Sequence, residues 1–104
     1  MKKFIFAILL MVLPILAKAD AVEINGIYYN LINKGKVAEV TSNPEKYSGA
    51  IIIPSTLIFN GVVYDVASIG ENAFYDCSGL TSVEIPNSVT IIEAEAFWIV
   101  SKRV

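Results

Sequence analysis

The sequence predicts a mainly β chain in which N-terminal β-hairpins lead into a short right-handed solenoid with one-turn helical segments. Two observations carry this. Short β-branched and aromatic runs alternate with turn residues from Ile27 to Ile92, the pattern of brief strands. Ile69, Ala73 and Phe74 then return as Ile92, Ala96 and Phe97, all three at one and the same offset along the chain. A lone short strand or turn cannot bury its own apolar face, whereas copies stacked at a fixed period can.

The chain opens MKKFIFAILLMVLPILAKAD. Lys2 and Lys3 form a positive start, Phe4 to Leu16 is uncharged and apolar, and Ala17 and Ala19 place small residues at −3 and −1 of a cleavage site before Asp20. That is the three-part pattern of a secretory signal peptide over residues 1–19. The apolar run from Phe4 to Leu16 is shorter than the roughly 20 residues needed to cross a bilayer, and Pro14 suits a spanning helix poorly. No cysteine stands near Ala19 to take a lipid. Export is therefore expected, with no membrane span after cleavage.

Residues 20–66 read as an N-terminal hairpin and capping region. Ile27 to Ile32 and Val37 to Thr41 flank Asn33-Lys34-Gly35-Lys36, which reads as a β-hairpin. Ser42 to Gly49 is a polar loop, and Ile51 to Ile53 a short strand ended by Pro54. Leu57 to Phe59 and Val62 to Tyr64 flank Asn60-Gly61, the strongest short hairpin signal. From Ala67 the strands shorten. Val83 to Ile85 and Val89 to Ile92 are strand-like, while Glu71 to Asp76 and Glu93 to Trp98 each read as one helical or 3₁₀ turn with Ala and Phe inward.

The stretch IGENAFYDCSGLTSVEIPNSVTII resembles one unit of the BspA-like leucine-rich repeat family. The matching positions are Ile69, Gly70, Ala73, Phe74, Cys77, Leu80, Val83, Ile85, Pro86, Ser88, Val89 and Ile92, with Ala96 and Phe97 opening a second unit. IIIPSTLIFNGVVYDVASIG and EINGIYYNL are similar to segments that precede such repeats. The resemblance implies that residues 67–104 hold one full repeat and part of another, with these side chains as the repeat-defining core. It also implies a bacterial protein, secreted, periplasmic or at the cell surface, that binds protein or mediates adhesion.

Departures qualify the second unit. Glu93 replaces Gly70, which would cost backbone energy if Gly70 holds a positive φ. Val100 stands at the place of Cys77, and Arg103, at the place of Leu80, is unsuited to a core. Solenoids need roughly three repeats and a cap. The expectation is a truncated member, and the alternative to a binding module is a degenerate fragment without independent function.

The residues offer little for catalysis. The chain has no histidine, which removes the Ser-His-Asp and Cys-His arrangements. Cys77, the only cysteine, reads as a small buried hydrophobe. Glu93 and Glu95 diverge across a turn, and the glycines form no phosphate-cradling run. No enzyme, no cofactor and no metal site are expected. Once the signal segment with Lys2, Lys3 and Lys18 is removed, acidic side chains outnumber basic ones by two to one. Nucleic acid is therefore excluded as a partner. A protein partner, reached by the stacked-strand face with help from tyrosines and acidic side chains, is the expected one. Self-association through the open solenoid end is the other contact expected.

Overall fold

The computed structural model describes residues 21–98. The signal peptide, its cleavage residues Ala17 and Ala19, and positions 100 and 103 lie outside the described residues. The elements are eight strands: β1 Val22–Ile24, β2 Ile27–Ile32, β3 Val37–Thr41, β4 Gly49–Ile52, β5 Thr56–Phe59, β6 Val62–Ile69, β7 Leu80–Glu84 and β8 Ile91–Ile92.

Hairpins build the first half. Asn25 and Gly26 both hold positive φ, 53° and 89°, the two-residue turn whose twist suits an antiparallel pair. They join β1 to β2, and the Glu23 carboxylate accepts the Gly26 N–H at 2.6 Å. Asn60 and Gly61 repeat that conformation, 52° and 78°, between β5 and β6. β2 and β3 pair antiparallel around Asn33 to Lys36, where the Lys36 N–H donates to Asn33 O at 3.1 Å.

Parallel pairing builds the second half. β3 runs parallel to β6, and β6 parallel to β8, with Val40, Ile69 and Ile92 in register. β4 runs parallel to β7, with Ile51 opposite Val83. β6 carries two partners on one edge, since β3 occupies the other: β5 covers its first half and β8 its end. Backbone bonds tie the same ladders beyond the strands. Gly70 N–H donates to Val40 O at 2.8 Å, Glu93 N–H to Ile69 O at 2.9 Å, and Ile53 N–H to Glu84 O at 3.0 Å. Residues 37–53 therefore form the first coil of a stack, the segment from Val66 the second, and the segment from Val89 the third.

Inside the stack an aromatic column crosses all three coils. Tyr47 and Phe74 lie 4.8 Å apart between ring centroids, and Phe74 and Phe97 4.9 Å apart at an interplanar angle of 5°. Phe74 is wholly buried, worth about 1.5–3 kcal/mol for the side chain, and each favourable ring pair adds about 0.5–1.5 kcal/mol. Ile69, Ala73, Cys77, Ile53 and Val40 belong to the same buried cluster.

The corners are not helical. Among the described residues there is no helix; 71–76 and 94–98 are successive turns. Ala73 N–H reaches Gly70 O, Tyr75 N–H reaches Asn72 O, and Cys77 N–H reaches Phe74 O. Asn72 and Asp76 hold positive φ, 64° and 57°, and each left-handed residue reverses the chain before a helical run can propagate. The expected one-turn helices are thereby replaced. The constraint on Gly70 also differs from the expected one. It is absent from the positive-φ residues, but a Cβ there would stand 2.9 Å from the Glu39 carboxyl and 3.1 Å from Val40 O. The constraint on Gly70 is therefore crowding, which a side chain would relieve by displacing the Glu39 carboxyl.

The strained position in the third coil is Glu95, φ 61°, which occupies the place that Asn72 holds in the second. Asn tolerates the left-handed region better than Glu does. Glu95→Asn should stabilise the protein by a few tenths to about 1 kcal/mol, read as a rise in the urea midpoint with an unchanged m-value.

Candidate protein-interaction face

The outer side of the parallel ladder begins with β3, where Ala38 and Val40 turn inward and are buried. The intervening residues face out, which sets Glu39, Ser68 and Ile91 in a row across three coils. Asn30 Nδ2 donates to Glu39 Oε1 at 3.3 Å, and the same carboxyl lies over Gly70. Glu39 is thus fixed between a neighbouring strand and a residue with no side chain. Glu93 takes the place of Gly70 one coil later, where its N–H donates to Ile69 O and the residue is exposed. The row thus carries a carboxylate, a hydroxyl and the exposed Ile91, with a second acidic residue, Glu93, two positions beyond Ile91.

The first coil is anchored by Tyr47. Its hydroxyl donates to Thr41 O at 2.7 Å and accepts the Tyr28 N–H at 3.0 Å. Tyr28 and Thr41 are register partners at the end of the β2–β3 ladder, so the phenol is inserted as a bridging rung. Burial pushes its pKa up to about 12 from 10.0, against the opposing effect of the Tyr28 N–H bond. Burial also raises Tyr29.

The repeat-defining residues divide by their place in the stack. Ile69, Gly70, Ala73, Phe74, Cys77 and Ala96 are buried; Leu80, Val83, Pro86, Val89 and Phe97 are half-buried. Ile85 and Ile92 are exposed, at 37% and 52%. Their partners one coil earlier, Ile53 and Ile69, are buried because Ile85 and Ile92 stand beside them. Among the described residues nothing stands beyond Ile85 and Ile92 in turn. Of the tyrosines expected to help binding, Tyr29, Tyr47 and Tyr64 belong instead to the core. Tyr28 is half-buried, while Tyr75 and Trp98 are exposed one coil apart. Lys46 Nζ donates to Tyr75 O at 3.4 Å and lies 5.8 Å from its ring centroid.

Sequence reasoning missed β1 and the role of Tyr47. The Asn25-Gly26 pair was the available signal for the first. The second has no echo at the repeat spacing: the step from Tyr47 to Phe74 exceeds that from Phe74 to Phe97, with a longer corner between. Among the described residues no three His, Cys, Asp or Glu side chains converge as metal ligands. Among them, too, no helix is long and apolar enough to cross a membrane, a statement that leaves β-barrels aside.

Residues 53–102 match a family model described as BspA type Leucine rich repeat region (6 copies). A leucine-rich repeat protein from Bacteroides ovatus is similar at 31% identity and a TM-score of 0.62, over 73% of this chain and 20% of that one. A leucine rich cell surface protein from Faecalibacterium prausnitzii shares the fold at 20% identity and a TM-score of 0.54, over 81% of this chain and 29% of that one. A leucine-rich repeat protein from Bacteroides capillosus gives 20% identity and a TM-score of 0.50, over 77% of this chain and 92% of that one. The chain thus spans 20% and 29% of the length of the first two. No curated protein matches.

Tyr47 gives the site a pH dependence. Its proton is held more tightly in the folded chain than in the unfolded one, so its contribution is complete below pH 10 and is lost as pH rises toward 12. Chemical denaturation from pH 8 to 12 should show stability falling above pH 10. Tyr47→Phe should flatten that fall and cost about 1–3 kcal/mol at pH 8, because Thr41 O and the Tyr28 N–H lose their shared partner.

Proposed function

Residues 53–102 belong to the BspA-type leucine-rich repeat family, and on that premise we propose that the protein is an exported, non-catalytic module that binds protein at a bacterial surface. The observation that carries the reading is the row Glu39, Ser68 and Ile91, held across three coils by parallel pairing. A repeat stack offers shape and backbone rigidity rather than a reaction site, and the Faecalibacterium relative is itself described as a cell surface protein.

The domain plan fits such a module. Residues 1–19 direct export, 20–66 cap and begin the stack, and 67–104 carry the repeat pattern. The coils wind right-handed, as parallel β-crossovers overwhelmingly do. The carboxylates Glu39 and Glu93 select a partner with Lys or Arg at its contact surface, and Ile91, at the end of the row and two residues before Glu93, supplies an apolar contact. With an area this small, binding by one copy is weak. The exposed Ile85 and Ile92 are the surface through which copies self-associate at high concentration.

Two measurements test the reading. Expressed in a Gram-negative host, the protein should appear outside the cytoplasm with Asp20 as its first residue by intact mass. Cytoplasmic retention of the unprocessed chain would remove the export claim. Cells displaying it should adhere to surfaces coated with basic extracellular protein at low salt. The Glu39→Lys, Glu93→Lys pair should reduce that adhesion by about tenfold, a change of about 1.4 kcal/mol within the range of interfacial charge pairs. Equal adhesion by the variant would remove the acidic face from the account.

A further inference from the structure

The first sheet is ordered β1-β2-β3-β6-β5, which leaves β1 and β5 as its two ends. Yet Ile24 and Ile27 share a groove of about 500 Å³ with Leu57 and Ile58 of β5. Val22 and Leu31 share a second, of about 440 Å³, with Phe59 and Tyr64. The sheet therefore curls until its two ends face each other, and no pairing joins β1 to β5. The result is a half-barrel with an open seam.

The backbone along that seam is unpaired in a definite phase. Val66 N–H donates to Ser55 O at 2.9 Å. In an antiparallel ladder bonded pairs alternate with non-bonded ones, so Leu57 and Phe59 bond to β6. Thr56 and Ile58 turn their N–H and C=O groups into the seam. On β1 the two-residue turn makes Ile24 and Ile27 a bonded pair, which leaves Glu23 facing the seam. The inward apolar side chains are Val22 and Ile24 on one side and Leu57 and Phe59 on the other. Each pair is spaced i to i+2, about 7 Å along a strand. The outward face carries Glu23 and Asp65, and β1, β5 and β6 contain no Lys or Arg. The lysines of this half, Lys34 and Lys36, sit on the β2–β3 loop.

We propose that the seam between β1 and β5 is a docking site for an extended strand of another protein, with apolar side chains at i and i+2 and a Lys or Arg between them. Main-chain bonds to Glu23, Thr56 and Ile58 supply the affinity, as in other strand additions. The two grooves take the apolar side chains, and the acidic outer face takes the base. A second copy of this chain is the wrong occupant, because its own β1 or β5 edge would bring Glu23 and Asp65 against themselves. This surface is separate from the acidic face of the coils and does not depend on it.

The test uses the purified protein and the peptide acetyl-Thr-Val-Lys-Val-Lys-Val-Thr-amide, with a control in which Glu replaces Lys. Titration followed by amide NMR and hydrogen exchange should perturb and protect Glu23, Thr56 and Ile58. The Glu peptide should bind about tenfold more weakly, in line with the cost of opposing like charges. Ile58→Pro removes a donor used only at the seam and should abolish the protection, while Glu23→Lys, which reverses the charge and also gives up the turn bond to Gly26, should weaken the Lys peptide several-fold. Glu39→Lys should leave the peptide-induced protection at Glu23, Thr56 and Ile58 in place, since that carboxylate lies on β3, in the middle of the sheet. Any of four results would overturn the proposal: no perturbation at these amides, equal binding of both peptides, unaltered binding by Glu23→Lys and Ile58→Pro, or seam protection that appears without peptide as the protein dimerises.

Discussion

Each coil of this protein buries its apolar side chains only against the coil beside it, and the Tyr47–Phe74–Phe97 column is where that dependence is tightest. A turn or a two-residue strand has no interior of its own. Phe74 is fully buried because Tyr47 lies on one side of it and Phe97 on the other. The parallel ladders then follow from the column, since rings 4.8 Å and 4.9 Å apart set the coils at the spacing of hydrogen-bonded strands. Burial fades in the same direction. Val40 and Ile69 are wholly buried, and Ile92 at the same register is half uncovered.

The hairpin region closes the other side of the stack. A regular repeat would leave the first coil as exposed as the third. Instead β2 pairs with β3, and the Tyr47 phenol bridges Tyr28 and Thr41 across the end of their ladder. One side chain thus belongs to both the aromatic column and the sheet, coupling the hairpins to the repeats. Its ionisation would remove the proton donated to Thr41 O and leave a charge buried in the stack, and burial therefore holds that proton on.

Much of the stack was legible in the sequence because its second and third coils share the same spacing and nearly the same side chains. Ile69 with Ile92 and Phe74 with Phe97 declared the period, and Asn60-Gly61 declared its hairpin. The first coil was hidden for a physical reason: only the inward side chains must match, and Tyr47 fills the place of Phe74 from a longer corner with different chemistry. The corners misled because Ala and Phe at short spacing suit a helical turn, whereas Asn72 and Asp76 adopt the left-handed region and prevent one. Gly70 shows the same limit. A glycine in a repeat signals either an unusual φ or a close neighbour, and only the Glu39 carboxyl beside it distinguishes the two. The acidic face likewise required the register, since Glu39 and Glu93 stand far apart in the chain.

The central claim is that stability passes from coil to coil and declines outward. Native-state hydrogen exchange measures this directly at two equivalent amides, Gly70 N–H bonded to Val40 O and Glu93 N–H bonded to Ile69 O. Gly70 should exchange only with global unfolding, and Glu93 at least about tenfold faster through local opening of the third coil. Equal protection at the two sites, or greater protection at Glu93, would contradict the account.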